Sequence, residues 1–369
     1  MRHLTMSVAL AAGALAASGQ SMAAPPSLEE ATQRLQRETP ALMARARVPG
    51  LAIALVADTR LVWNGTFGWA NSATGAPVTQ ETVFEAASLS KPVFAYAVLQ
   101  LVDAGVLELD VPLVRYLPGG YDVGEDPRVA QITARHVLSH RTGFPNWRAP
   151  GTALTINFAP GERFSYSGEG FVYLARAVER LTGESTELTV KRLVFEPLGM
   201  RQSTFLWQDS HAQDKVFGHD GRGEPRGQSH PAWANPAASL STTAPDYARF
   251  LVAVLNGNRL KPDTAAQLFR AQVRVGPFTN SIGRRATPLS DEISWGLGVG
   301  LQERQGDDAF WHWGDNGNSK AFAWVSRTQR RGLVFFANSV HGLAIAPDLI
   351  ALALGDGRQP ALEWLNYPR

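Results

Sequence analysis

The chain has 369 residues, 35 Lys and Arg against 33 Asp and Glu, a formal net charge of +2, and no cysteine. The charges are interspersed, which excludes the clustered cationic surface on which nucleic-acid affinity rests. The missing cysteine excludes disulfides, thiolate metal sites and a lipid-attachment cysteine, and the length suggests about two domains.

Met1-Arg2-His3 opens the chain, followed by an apolar, alanine-rich run over residues 4–17 and the small-x-small pattern Ser21-Met22-Ala23. This predicts a signal peptide, residues 1–23, cleaved near Ala23 to leave a periplasmic or secreted protein. The apolar run is too short for a comfortable membrane span. Residues 28–46 read as an amphipathic helix stopped by Pro49-Gly50. Residues 51–57 form a buried strand paired with residues 60–67 across Asp58-Thr59. A strand-like run, 82–87, then gives way to a helix from Lys91 to Ala104, with Gly105 as its stop. Gly- and Pro-rich loops and short helices fill residues 111–288, the clearest helices being 169–181 and 246–255. Thr243 with Asp246 has the spacing of a capping box. Strand signals return at 296–302, 309–313, 320–326 and 332–337, and 343–354 reads as a closing helix.

The order predicts an α+β fold with one antiparallel sheet built from both chain ends and flanked by helices. A mostly helical insertion sits beside it. The mature domain, 24–369, divides into an α/β region, about 24–110 and 289–369, and a mostly helical region, about 111–288. A cleft is expected where the two meet.

Chemistry concentrates in three stretches. Ser88-Leu89-Ser90-Lys91 sets a serine and a lysine one helical turn apart on the same face. A serine hydroxyl needs an adjacent base to attack a carbonyl. A helix start, with its orphan N–H groups and positive dipole end, favours an oxyanion and disfavours a charged lysine. Phe164-Ser165-Tyr166-Ser167-Gly168 offers a tyrosine that a nearby ammonium would hold as phenolate, able to relay protons between nucleophile and leaving group. Phe310-Trp311-His312-Trp313-Gly314-Asp315 reads as a strand end whose glycine allows close backbone approach. Taken singly, each has a plain structural reading: an N-cap serine, a turn tyrosine, a strand-end histidine.

Taken in order and spacing, they resemble the serine β-lactamase and penicillin-binding superfamily, and more closely its class C β-lactamase-like branch of esterases and D-stereospecific peptidases. That branch carries S-x-x-K, then Y-x-N, then K-T-G or H-x-G. The matching positions here are Ser88 to Lys91, Tyr166 to Gly168 and His312 to Gly314. Similar connectors are Val137 to Gly143, Pro197 to Met200 and Leu240 to Asp246. The resemblance implies a β-lactamase/transpeptidase-like fold, with Ser88 as nucleophile and Lys91 or Tyr166 as base. It implies an oxyanion hole from the backbone N–H groups of Ser88 and Asp315, and His312 hydrogen-bonding near Tyr166. Two departures stand out. Gly168 replaces the amide of Y-x-N, and His312 replaces a lysine near which an antibiotic carboxylate docks.

The expected activity is therefore an exported, carboxylesterase-like serine hydrolase with no cofactor and no metal. Its substrate is a small ester, amide or peptide, with cell-wall contact an open expectation. Alternatives are a D-amino-acid or cell-wall peptidase, a β-lactamase, and, in another class, a non-catalytic penicillin or peptidoglycan sensor. His211 and His219, in a polar loop of residues 209–228 read as loose, and His230 just beyond it fit no zinc spacing. His140 is assigned to hydrogen bonding within the fold. Trp147, Trp207, Trp233, Trp311 and Trp313 are read mainly as core, with one or two available to line an apolar pocket.

Overall fold

The computed structural model describes residues 25–276, 292–304, 307–355 and 359–367. The predicted signal peptide lies outside them. Helix α1 (Leu28–Ala46) leads into strands β1 (Gly50–Ala57), β2 (Arg60–Asn71) and β3 (Ala76–Pro77). Then come β4 (Phe84–Ala87) and helix α2 (Ser90–Asp103). The middle of the chain supplies α3 (Ala134–Leu138), α4 (Gly168–Thr182), α5 (Thr186–Val190) and α6 (Glu196–Leu198). It also supplies the short strands β5 (Gly218–His219), β6 (Pro225–Gly227) and β7 (Leu240–Thr242), then α7 (Ala244–Asn256) and α8 (Pro262–Leu268). Strands β8 (Val273–Arg274), β9 (Ile293–Trp295), β10 (Gly300–Arg304), β11 (Asp307–Asp315), β12 (Lys320–Ser326) and β13 (Arg331–Ala337) follow, and α9 (Ala346–Leu354) and α10 (Pro360–Leu365) close the described chain.

Among the described residues the main sheet has nine strands in the order β3-β2-β1-β13-β12-β11-β10-β9-β8. Its centre is the antiparallel pair β1 and β13, with Leu51 opposite Ala337 and Ala57 opposite Arg331. The two ends of the chain thus meet in the middle of one sheet, as the distribution of strand signals predicts. The continuous burial of β1, β12 and β13 reflects cover on both faces. Leu51, Ile53, Trp311, Trp313 and Phe335 pack on one face with α1, α9 and α10. Ala52, Ala54, Phe310, Val334 and Phe336 pack on the other with α2, α7 and the helical region.

Helix α2 explains its own position. Every residue from Ser90 to Leu101 is buried, so it has no solvent stripe and lies between the sheet and the helical region. Each Val, Leu or Phe buried there contributes about 1.5–3 kcal/mol, which offsets the cost of taking Lys91 out of water.

The middle of the chain differs from its sequence reading. The region is not purely helical: β7 pairs with β4, and β8 extends the main sheet. Strands of two or three residues carry too little alternation to be seen as periodic. The polar loop 209–228 is not loose, because His219 is fully buried, hydrogen-bonding the Asn338 carbonyl (3.0 Å) and the Ser72 hydroxyl (3.1 Å). The predicted capping box on α7 is half present. The Thr243 hydroxyl accepts from the Asp246 N–H (3.2 Å), but the Asp246 carboxylate accepts instead from the Gln202 N–H (2.8 Å) and the Ser203 hydroxyl (3.1 Å).

Candidate active site

Ser88 lies in the turn joining β4 to α2, half-buried, and the helix itself begins at Ser90 with Leu89 at the cap position. Ser88 therefore caps nothing. Ala87, just before it, has φ of 49°, a left-handed conformation that costs a non-glycine residue energy and turns the next side chain sharply out of the strand. Ser90 is spent structurally: its hydroxyl donates to the Ala87 carbonyl (2.5 Å) and accepts from the Leu240 N–H (3.0 Å). The Ser88 hydroxyl instead meets Lys91 Nζ at 3.1 Å.

Lys91 is fully buried, and its Nζ also donates to the Ala237 carbonyl at 2.8 Å. Burial holds its pKa well below the usual lysine range. The amine sits 4.6 Å from the Tyr166 ring centroid. Tyr166 is also buried, and burial pushes its pKa up, against a smaller downward pull from the Ser88 hydroxyl. The phenol has no hydrogen-bond partner of ordinary geometry among the described residues. Burial thus disfavours the charged form of both groups, the ammonium of Lys91 and the phenolate of Tyr166.

His140 holds Tyr166 from both sides along the chain. Its carbonyl accepts from the Ser165 N–H (2.8 Å), its Nδ1 accepts from the Ser167 N–H (3.0 Å), and its ring stacks on Tyr166 with centroids 4.3 Å apart. A φ of 55° at His140 makes this geometry possible. Burial, with smaller contributions from Lys91 and His312, keeps its pKa well below the ordinary histidine value. The sequence reading gave His140 a hydrogen-bonding role in the fold, and the structure locates that role directly behind Tyr166. Trp313 packs on the same phenol, with centroids 4.6 Å apart.

His312 is buried on β11, and burial together with Lys91 pushes its pKa down to about 3. Its Nδ1 donates to the Trp313 carbonyl (2.8 Å), while Nε2 has no partner among the described residues. The ring lies 6.0 Å from that of Tyr166, so the hydrogen bond expected near Tyr166 is not formed. Gly314 admits β4. A Cβ there would stand 2.4 Å from the Ala86 carbonyl oxygen and 3.2 Å from the Ala87 Cβ. This contact sets the end of β11 beside Ser88. The Asn316 N–H donates to the Ser319 carbonyl (3.1 Å), and Asp315 faces Lys320 across the ladder. By antiparallel alternation the Asp315 N–H points away from β12. On that side the β10 ladder ends at the Gly300–Trp311 pair, well short of Asp315. The Asp315 carboxylate is engaged by Lys320, the Tyr367 hydroxyl (2.8 Å) and the Gly317 N–H (2.9 Å).

Gly168 begins α4, with its N–H donating to the Asn146 carbonyl and side-chain oxygens, both at 3.0 Å. The room a side chain would need is taken, since a Cβ at 168 would stand 2.4 Å from Trp147 Cη2. The Ala237 carbonyl and the packing of Trp147 were missed at the sequence level, as neither has a motif.

The site's three stretches thus converge on the junction of sheet and helical region. A Beta-lactamase family model matches residues 35–355. The chain belongs to this family. Penicillin-binding protein 4 of Amycolatopsis lactamdurans is 28% identical over 350 residues, covering 87% of this chain and 89% of that one. Esterase EstB of Burkholderia gladioli is 31% identical over 203 residues, 47% of this chain and about half (51%) of its own length. Among solved structures, the octameric penicillin-binding protein homologue from Pyrococcus abyssi superposes with TM-score 0.74 at 23% identity, covering 89% of this chain and 78% of that one. D-alanine carboxypeptidase AmpC from Burkholderia cenocepacia gives 0.70 at 19% identity, with 88% and 99% covered. These two establish shared fold. The beta-lactamase family is one of serine hydrolases, and this chain is an enzyme of that kind.

Proposed function

We propose that this chain is an exported serine hydrolase that cleaves small uncharged esters through an acyl-enzyme on Ser88. The observation that carries the reading is the 3.1 Å contact between the Ser88 hydroxyl and Lys91 Nζ, an amine whose charged form burial disfavours. Such an amine can accept a proton while it donates to Ala237. In acylation the Ser88 oxygen bonds to the ester carbonyl carbon and its proton passes to Lys91. The bond to the alcohol oxygen then breaks, and the departing alkoxide takes a proton relayed from Lys91 through the Tyr166 hydroxyl. Water reverses the sequence, releasing the acid and restoring Ser88. Tyr166 acts as a neutral phenol, since burial opposes the phenolate. The N–H groups of Ser88 and Asp315 stabilise the oxyanion, and such a donor is worth about 3–4 kcal/mol.

Preference for uncharged esters follows from two positions. His312 is neutral at pH 7, so the third motif provides no cation for a substrate carboxylate. Lys320, the nearby ammonium, is buried and paired with Asp315. Position 168 provides no amide. A second reading, hydrolysis of cell-wall peptides or β-lactams, is favoured by the length of the similarity to a penicillin-binding protein. Export rests on the charged start, apolar run and Ser21-Met22-Ala23.

A fluorophosphonate probe should phosphonylate Ser88 with loss of fluoride, and mass spectrometry should place the adduct there. The kcat/KM should be larger for p-nitrophenyl butyrate than for a chromogenic cephalosporin or a D-alanyl peptide. Efficient cephalosporin or peptide turnover with little ester hydrolysis would transfer the assignment to the second reading, and stable labelling by a labelled penicillin without turnover of any substrate would make the protein a sensor. N-terminal sequencing of periplasmic or secreted protein should begin at Ala24 or a neighbour, and an intact Met1 on cytoplasmic protein would reject export.

A further inference from the structure

Trp147 is 44% exposed, although tryptophan is among the side chains that gain most from burial. It is not a stray surface residue. Its indole occupies the space beside Gly168, within 2.4–2.8 Å of where a Cβ would stand, and its ring centroid is 5.9 Å from Lys91 Nζ. One part of the ring fills a side-chain position next to the reactive centre, while another part faces solvent.

The backbone on both sides of Trp147 is fastened to the start of α4. Before it, Asn146 accepts from the Gly168 N–H (3.0 Å) and the Glu169 N–H (3.1 Å). After it, the Arg148 N–H donates to Glu169 Oε1 (3.1 Å), and the Arg148 guanidinium pairs with the same buried carboxylate at 3.0 Å. Trp147 is therefore held ready before any ligand arrives, and little ordering entropy is lost when a ligand covers it.

We propose that Trp147 is the specificity-determining residue of this site, a fixed aromatic wall that selects esters carrying an apolar group on the side lying over Gly168. This rests on the hydrolase reading above and adds the substrate class to it. An indole offers area, shape and a single edge N–H but no acceptor, so the substrate portion that meets its face gains by being apolar and loses by carrying an amide whose N–H would be desolvated without a partner. The occupied space at position 168 and the exposed ring face describe one replacement, in which the indole stands where a polar side chain at 168 would otherwise meet the substrate.

The test compares wild type, Trp147→Ala and Trp147→Phe on two ester series. One varies the acyl group from acetate to butyrate to octanoate with p-nitrophenol leaving. The other keeps acetate and varies the alcohol from methyl to benzyl. In at least one series wild type should favour the larger apolar group, and Trp147→Ala should lower that preference, read as a ratio of kcat/KM values, by about tenfold. Trp147→Phe should retain most of it. A series that responds also fixes which side of the ester lies against the indole. Ratios unchanged in both series for both variants, in protein that still hydrolyses esters and labels at Ser88, would overturn the role of Trp147 alone. Wild-type protein that neither labels nor hydrolyses esters would instead overturn the hydrolase reading beneath it. If Trp147→Ala does not fold, the Trp147→Phe ratios decide, since a benzyl ring keeps the wall while narrowing it. Trp147→Gln is then measured beside it, since an amide of similar reach fills the space without an apolar face: preference kept in Trp147→Phe but lowered about tenfold in Trp147→Gln supports the proposal, and ratios unchanged in both variants reject it.

Discussion

His312 should make this protein sensitive to acid, by an amount the structure allows to be worked out. Its pKa is about 3 in the folded chain, against an ordinary value of 6.5, chiefly because the ring is buried and secondarily because Lys91 is near. The folded pKa is depressed, so the unfolded chain takes up a proton as pH falls below 6.5 while the folded chain does not. Stability is then intact above 6.5 and is lost progressively between 6.5 and about 3. Each pH unit in that window costs about 1.4 kcal/mol, and the whole window is on the order of 5 kcal/mol. The substitution His312→Asn keeps a donor for the Trp313 carbonyl and removes the titration. Urea unfolding at pH 7.0 and 4.5 supplies the comparison. Between these values wild type should lose about 3 kcal/mol more than the variant. Carboxylates, His140 and Lys91 are present in both proteins and drop out of the difference. Equal losses, within about 0.5 kcal/mol, would mean that His312 titrates normally and that burial does not hold it neutral in acid.

Ser88→Ala should abolish turnover and covalent labelling with little change in melting temperature, whereas Ser90→Ala should cost about 1–3 kcal/mol of stability by leaving the Leu240 N–H unpaired; an acyl group found on Ser90 would overturn the assignment. Lys91→Met should be inactive yet more stable at pH 7, since a lysine with a depressed folded pKa penalises folding at every pH below its unfolded value; for the same reason wild-type kcat/KM should rise with pH as Lys91 loses its proton, and a flat profile would count against Lys91 as base. His140→Phe keeps a ring against Tyr166 but removes the acceptor for the Ser167 N–H, and should lower kcat by about tenfold or more with a smaller change in KM; a change confined to KM would reject its positioning role. Gly168→Asn should destabilise the protein by about 1–3 kcal/mol through collision with Trp147, and Trp147→Ala should recover much of this, a coupling that a double-mutant cycle of unfolding free energies would show as absent if the two sites were independent.

What was legible in the sequence was what periodicity and spacing encode. The long strands β11, β12 and β13, with α1, α2 and α9, carry enough repeats for their pattern to stand out. The placing of strands at both ends with helices between gave the α+β arrangement. Ser88, Lys91 and Tyr166 were legible because a serine, a lysine one turn on and a later tyrosine form an ordered set. The clamp of His140 on Tyr166 was not, because it depends on left-handed backbone at a non-glycine residue, and no residue type announces that. Nor was the pairing of Trp147 with Gly168. A glycine in a motif reads as a missing side chain, and only three-dimensional packing reveals that another residue has moved into the room. Short strands such as β7 and β8 exist through their partners, β4 and β9, and not through any local preference.

The central pairing of β1 with β13 has a consequence for how the enzyme comes into being. Ser88 and Lys91 emerge early in synthesis, but the strand that closes against β1 is completed only at Ala337. Until then the amino-terminal hairpin lacks its central neighbour, and Ser88 lacks the end of β11 beside it. A chain halted before Ala337 would therefore hold Ser88 and Lys91 without the assembled site around them. Such distant pairing makes folding slow relative to chains rich in local contacts. It also makes the surroundings of the Ser88 hydroxyl depend on a segment more than two hundred residues further along the chain.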